Sequence, residues 1–190
     1  MKDLIEIRWH GRGGQGAKTS SQILAETAMK AGYDIQAFPE YGPERGGAPI
    51  KAYTRVSRKR IVIHSGVQNP DIVAVVDPSL LEIIDVTQGL PEDGILLVNT
   101  AETPEEIRSK LEFITGTVGT VDATTIALET LGRPMPNLPM LGALLKAEPL
   151  VSIDDLEGSI RHKFEKKIGE EQTRANIEGV RRAYEEVVLG

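Results

Sequence analysis

The first thirty residues place a strand pattern directly before a glycine-rich loop and a helix pattern. Apolar residues recur through 4–9, glycine fills four of the six positions from Gly11 to Gly16, and helical spacing follows as far as Gly32. Glycine lets backbone amides approach an anion closely, and a helix N-terminus adds partial positive charge at the same point. The sequence therefore predicts a strand–loop–helix unit that binds a phosphorylated ligand.

The rest of the chain alternates strand and helix patterns. Strand patterns cover 35–38, 50–57, 71–77, 95–98 and 118–121. The runs at 71–77 and 95–98 are apolar almost throughout, which is typical of strands buried on both faces. We therefore predict an α/β fold, with a Rossmann-like, mostly parallel sheet and helices on both faces. We also expect 50–57 to form a hairpin with 61–63, and Pro78 to open a helix that ends near Asp85.

Two regions are predicted from periodicity and charge. Residues 1–150 are expected to form the Rossmann-like domain, and 151–190 a C-terminal helical arm. Apolar residues of the arm recur at helical spacing with charged residues between them, which indicates two amphipathic helices. These helices either cover the core of the same domain or bind a partner.

Composition excludes several classes of function. The 190 residues include no cysteine, so the chain cannot hold an iron–sulfur cluster through thiolates or use a thiol nucleophile. The net charge of −6 disfavours general affinity for nucleic acid or anionic membranes. No apolar run approaches the ~20 residues that a membrane span requires. A soluble cytoplasmic protein is therefore expected.

The glycine loop resembles two nucleotide-binding motifs. Gly11, Gly13 and Gly16 fit G-x-G-x-x-G, and Glu40 lies near the end of the second strand, where an acid can hold a ribose. A dinucleotide site and a purely packing role for the glycines both stay open. The P-loop motif fits poorly, because Ala17 separates Gly16 from Lys18 and turns that lysine about 100° around the helix.

A second loop, 39–49, has the features of another anion contact. Arg45 offers a two-pronged guanidinium, and Gly46 and Gly47 allow the backbone to approach a ligand. An ion pair of Arg45 with a nearby glutamate is the alternative. Because parallel strands end at the same edge of a sheet, we expect this loop and the glycine loop to face one crevice.

The other polar candidates are weaker. Asp77 and Asp122 precede helices and are expected to cap them. His10 either touches ligand or is structural, and Asn137 is either a ligand contact or a turn residue. The spacing of His64 and His162 matches no metal motif, so no metal site is predicted, and no catalytic residue is assigned. The thiamine diphosphate signature, G-D-G followed by paired asparagines, is missing.

Two long motifs identify a family resemblance. Residues 6–16 (EIRWHGRGGQG) and 38–49 (FPEYGPERGGAP) closely resemble the gamma subunits of 2-oxoacid:ferredoxin oxidoreductases, with the pyruvate enzyme as the best match. Further matching segments follow in order along the chain, at 69–71, 96–100, 121–124 and 137–143. The resemblance therefore spans nearly the whole sequence.

The resemblance implies a role within a complex of alpha, beta, gamma and delta subunits. Such a complex converts a 2-oxoacid, coenzyme A and oxidised ferredoxin to acyl-CoA, carbon dioxide and reduced ferredoxin. Thiamine diphosphate and the iron–sulfur clusters belong to the other subunits, and the gamma subunit is associated with coenzyme A. The expected coenzyme A contacts here are Gly11, Arg12, Gly13, Gly14, Gln15, Gly16, Arg45, Gly46 and Gly47.

Three alternatives to the pyruvate complex stay open at this point. The motifs are shared with subunits that serve branched-chain 2-oxoacids. A self-sufficient dinucleotide-dependent enzyme would retain nicotinamide or flavin when purified alone. A purely structural subunit would use the glycine loop for packing only.

Overall fold

The computed structural model describes residues 2–40, 47–113 and 115–190. Strand β1 (Leu4–Arg12) alternates apolar and polar residues, and its apolar side chains are buried on one face of the sheet. Helix α1 (Ala17–Lys30) follows after a loop that ends at Gly16, whose backbone is left-handed with φ of 80°. The predicted strand–loop–helix unit is confirmed.

Seven strands form one mixed sheet in the order β2-β3-β1-β4-β5-β6-β7. The remaining strands are β2 (Asp34–Glu40), β3 (Pro49–Ser57), β4 (Ile72–Val75), β5 (Ile95–Asn99), β6 (Thr117–Val121) and β7 (Val188–Leu189). Strands β1, β4, β5 and β6 are parallel neighbours. Strand β3 is antiparallel to both β1 and β2, and β7 is antiparallel to β6. Because β2 runs in the direction of β1, most strands share one direction, as predicted.

Local sequence signals explain where the helices begin. The helices after α1 are α2 (Pro104–Leu111), α3 (Ala123–Leu131), α4 (Asn137–Ala147), α5 (Ile153–Ile168) and α6 (Glu170–Glu186). Thr103 and Glu106 form a capping box before α2, with proline at the first helical position. Asp122 caps α3 by accepting a hydrogen bond from the Thr125 amide at 2.9 Å, as expected.

The two faces of the sheet are covered unequally. A large apolar cluster joins one face to α1, α3, α4, α5 and α6. A smaller cluster on the other face joins strands β4 to β6 to Ile107 of α2 and to Val86. Helices therefore lie on both faces, as predicted. On the second face, however, α2 reaches β6, and the sheet surface of β1, β3 and β2 carries polar side chains.

The C-terminal helices complete the main core. Leu156 and Ile160 of α5, and Ile177 and Val180 of α6, are buried in the large cluster. Helix α6 packs against α3 and α4, and the chain then returns to the sheet as β7. Of the two predicted roles, covering the core of the same domain is the one found. The division of the chain at residue 150 stays a prediction.

Two local predictions were wrong. Residues 61–63 form no strand with 50–57, because both edges of β3 are already paired with β1 and β2. The segment runs beside β2 instead, where Ile61 N donates to Asp34 Oδ2 at 2.5 Å. Pro78 opens a 3-10 helix that ends at Glu82, which is shorter than the predicted helix.

Two helical glycines allow a matched test of packing. A Cβ atom added to Gly142 of α4 would lie 2.0 Å from the carbonyl oxygen of Val180 in α6, whereas one added to Gly158 of α5 would meet nothing within 4 Å. We expect Gly142→Ala to lower the free energy of unfolding by about 1–3 kcal/mol, because the helices must separate. Gly158→Ala should raise it by about 0.5–1 kcal/mol through helix propensity. Urea denaturation measures both; equal effects would contradict the close contact of α4 and α6.

Candidate functional site at the glycine loop

The turn from β1 into α1 is possible only with glycine at its end. Gly14 and Gly16 have φ of 92° and 80°, a region that other residues rarely adopt. A Cβ atom on Gly16 would lie 2.6 Å from Cγ of Asn137. Ser20 Oγ also donates to the carbonyl oxygen of Asn137 at 2.8 Å. Asn137 thus lies at the start of α4 as a buried neighbour of the loop, and not in a turn.

The start of α1 has the features of an anion site. No side chain of the described residues caps the helix, and its first turn contains no acidic residue. The first amides of any α-helix lack partners within the helix and carry partial positive charge. Gly13 and Gly14 are exposed next to these amides. An oxyanion can therefore approach the backbone here without meeting a side chain or a carboxylate of the helix.

Arg12 and Gln15 fix the loop to Asp77. The Arg12 amide donates to Gln15 Oε1 at 2.7 Å, and Gln15 Nε2 donates to Asp77 Oδ2 at 2.6 Å. Arg12 Nε donates to the same carboxylate oxygen at 3.1 Å, and Arg12 Nη2 to Ser79 Oγ at 2.9 Å. Asp77, predicted only as a helix cap, does cap the 3-10 helix through the Ser79 amide, and it also anchors the loop.

The charge of Asp77 is secured by these contacts. Burial raises the pKa of the Asp77 carboxyl, but hydrogen bonds from Ser79 and Gln15 and the charge of Arg12 outweigh it and leave the pKa below its usual value. The carboxylate therefore stays ionised and offsets much of the charge of Arg12. Arg12 acts first as a structural bridge, and its guanidinium is already engaged where it borders the crevice.

The second loop meets the glycine loop, as predicted. Gly13 N donates to the carbonyl oxygen of Ala48 at 3.2 Å, and Arg12 Nη1 to that of Gly47 at 3.0 Å. Gly13 and Gly47 face each other, since a Cβ atom on Gly13 would lie 3.8 Å from Gly47 N. Arg45 and Gly46 lie outside the described residues.

The position of Glu40 argues against a dinucleotide site. Strand β3 separates β2 from β1, so Glu40 lies two strand spacings, about 10 Å, to the side of the glycine strand. Its carboxylate accepts a hydrogen bond from the Tyr53 hydroxyl of β3. The ribose-binding acid of a dinucleotide site would follow a strand directly beside the glycine strand.

Comparison with known proteins decides the family. Residues 6–186 match the family described as pyruvate ferredoxin/flavodoxin oxidoreductase. The chain belongs to this family. Helices in the described residues are too short or too polar to cross a bilayer, and those residues contain no cluster of three or more acidic or histidine side chains suited to a metal ion.

Relatives in the family match along the whole chain. The chain is 50% identical to pyruvate synthase subunit PorC of Thermotoga maritima over 98% of this chain and 96% of that protein. It is 52% identical to the pyruvate/ketoisovalerate oxidoreductases common subunit gamma of Pyrococcus abyssi, over 90% of this chain and 93% of the relative. The crystal structure of the Thermotoga subunit superposes with a TM-score of 0.89 at 46% identity, covering 100% of this chain and 99% of that one. The predicted resemblance to gamma subunits is confirmed.

In this family member, a buried polar pair lies behind the loop on β1. Arg8 Nε donates to His10 Nε2 at 3.0 Å, and Arg8 and His10 are 4% and 1% exposed. Nε2 must be unprotonated to accept this bond, so the neutral imidazole carries its proton on Nδ1. His10 is therefore structural and is shielded from a ligand at the loop. The alternation of polar and apolar residues along β1 was the one sequence signal for this pair.

The buried histidine gives a testable pH dependence. Burial, followed by the charges of Arg8 and Lys51, lowers the pKa of His10 to about 3. An unfolded histidine titrates near 6.5, so between these values the unfolded chain binds more protons, and stability falls as the pH falls. The contribution of His10 is at most about 1.4 kcal/mol per pH unit. We expect His10→Gln to remove this part of the dependence of the free energy of unfolding on pH, measured by urea denaturation between pH 6.5 and 4. The matched variant of exposed His162, His162→Gln, should keep it; equal slopes for wild type and His10→Gln would contradict the assignment.

Proposed function

We propose that the chain is the gamma subunit of a pyruvate:ferredoxin oxidoreductase complex and binds coenzyme A for it. The reaction consumes pyruvate, coenzyme A and oxidised ferredoxin and yields acetyl-CoA, carbon dioxide and reduced ferredoxin. The main support for this proposal is the match, over nearly the full length of both chains, to PorC of Thermotoga maritima. The partners are alpha, beta and delta subunits, with ferredoxin as the electron acceptor, in the cytoplasm.

Redox centres belong to other subunits in this proposal. A chain without cysteine cannot hold iron–sulfur clusters through thiolates, and it lacks the thiamine diphosphate signature. The acyl group is therefore formed elsewhere, and this subunit presents the acceptor. Holding coenzyme A so that its thiol meets that acyl group makes the transfer effectively unimolecular.

The glycine loop supplies the phosphate contacts. Backbone amides of Gly14, Gly16 and the first turn of α1 are expected to face the phosphates, because no acid lies in that turn and the amides of Gly13 and Gln15 already donate to backbone carbonyl oxygens. Gly47 borders the same crevice, and Arg45 and Gly46 precede it in the sequence. We assign Gly11, Gln15 and Arg12 mainly to holding the loop, and Arg45 to charge neutralisation.

The 2-oxoacid is chosen by other subunits. The relative from Pyrococcus abyssi is named as a common subunit of pyruvate and ketoisovalerate oxidoreductases. A subunit that only delivers coenzyme A can serve both substrates. Branched-chain 2-oxoacids are therefore the second candidate substrates for complexes that contain this chain.

Gly13 allows the loop to be blocked without disturbing the fold. A Cβ atom there would make only ordinary contact with Gly47 N, at 3.8 Å. We expect Gly13→Val to raise the KM for coenzyme A of the assembled complex by about tenfold or more, about 1.4 kcal/mol of lost binding. Exchange of carbon dioxide with the carboxyl group of pyruvate, which needs no acyl transfer, should persist. Gly158→Ala is the control and should change neither the KM for coenzyme A nor the exchange activity. An unchanged KM in Gly13→Val would contradict the assignment of the loop to coenzyme A.

Arg45→Ala tests the second loop. A lost charge-assisted hydrogen bond to phosphate costs about 1.5–3 kcal/mol, so the KM for coenzyme A should rise by about ten- to a hundredfold. Pyruvate decarboxylation should be kept, because its chemistry lies on other subunits. Equal loss of decarboxylation and acyl transfer would indicate an assembly defect. Retained flavin or nicotinamide absorbance in the chain purified alone would instead favour the dinucleotide-dependent enzyme.

A further inference from the structure

A cavity of about 690 Å³ opens on the second face of the sheet, away from the glycine loop. Its floor is formed by Arg8, Lys51 and Tyr53 of neighbouring strands, and Phe38 and Glu40 of β2 line one side. The volume lies within the range of about 300–1,000 Å³ that is usual for small-molecule sites. On β1, Arg8 precedes Arg12 by four residues, about 13 Å of strand.

Arg8 is a buried cation without an ion pair. Its Nη2 donates to the carbonyl oxygens of Val86 and Gln88 at 3.0 and 2.6 Å, and its Nε to His10. Among residues 2–40, 47–113 and 115–190, these are the hydrogen bonds of the Arg8 guanidinium, and none of them goes to a carboxylate. Buried charges normally have an opposite charge beside them.

The neighbouring arginine shows the usual arrangement. Arg55, 1% exposed on the same face, donates to Glu6 Oε1 at 2.7 Å and to Gln36 Oε1 at 2.9 Å. The fold thus pairs one buried guanidinium directly with a carboxylate, whereas the other borders a cavity and has the carboxylates of Asp85 and Glu40 only at longer range. Lys51, which is half-buried, also borders the cavity and adds a second positive charge.

The remaining lining indicates the rest of the ligand. The rings of Phe38 and Tyr53 lie 5.2 Å apart between centroids and form an apolar wall. Glu40, held by the Tyr53 hydroxyl, contributes one negative charge against the two positive charges. The opposite wall is fixed where Gly89 meets Gln68, because a Cβ atom on Gly89 would lie 2.1 Å from the Gln68 carbonyl oxygen.

We propose that this cavity is a second anion site, separate from the glycine loop, and that it binds a small organic carboxylate. The carboxylate pairs with Arg8 Nη1 and Lys51, and an apolar or planar body packs on Phe38 and Tyr53. The site requires no coenzyme A binding at the loop, so it stands independently of the function proposed above.

Benzoate is a suitable probe, with benzyl alcohol as its uncharged match. Titrated into the isotope-labelled full chain at constant ionic strength, benzoate should shift the Arg8 guanidinium and His10 resonances saturably, and benzyl alcohol should not. Lys51→Gln should weaken benzoate binding by about fivefold, the effect of one partly exposed ion pair. Lys167→Gln, at an exposed position of α5, should leave it unchanged. Lys51→Gln is the variant used for the test, because Arg8→Gln removes a buried contact and can unfold the chain.

Four results would overturn the proposal. Benzoate shifts that do not saturate, or equal affinities for wild type and Lys51→Gln, would show that no carboxylate site exists. Displacement of benzoate by coenzyme A would make the cavity part of the coenzyme A site. If benzoate binds the isolated chain but not the assembled complex, and Lys51→Gln weakens assembly, the carboxylate belongs to an acidic side chain of another subunit. Benzoate binding that persists in the complex supports the small-molecule site.

Discussion

The close approach of the β1–α1 turn to the start of α4 is the constraint on which the candidate site depends. Gly16 touches the Asn137 side chain at a distance that no Cβ atom would permit, and its left-handed backbone directs the chain into α1. Ser20 then ties α1 to the Asn137 carbonyl oxygen. The helix N-terminus is thereby held at the edge of the sheet, where an anion can reach it.

A second network keeps this edge rigid. The Asp77 carboxylate, at the end of β4, accepts hydrogen bonds from Arg12 and Gln15 across a parallel strand pair. Arg12 also reaches the carbonyl oxygen of Gly47, so both loops depend on one carboxylate. This arrangement separates two tasks that look alike in the sequence: Arg12 holds the loops together, and backbone amides face the crevice.

The two faces of the sheet differ in polarity. The large core lies under α1 and α3 to α6, and the opposite surface of β1, β3 and β2 carries ionisable side chains that no helix of the described residues covers. Glu6 accepts a hydrogen bond from Arg55 there, and among the described residues Arg8 donates to carbonyl oxygens and to His10. Of the polar side chains that alternate along β1, Arg8 lines the cavity, whereas Glu6 pairs with Arg55 and Arg12 with Asp77.

Most of the elements, their approximate bounds and the glycine loop were predictable from the amino-acid sequence, because these depend on local periodicity, capping and backbone freedom. It also predicted that the loops of β1 and β2 share one crevice, since strands of one direction end at one edge. The three-dimensional fold was needed to show that β3 lies between those strands, that 61–63 runs beside β2, and that Arg12 is paired with Asp77. Strand order, ion pairing and the cavity at Arg8 depend on contacts between residues far apart in the chain. Local sequence patterns do not predict which distant residues come into contact.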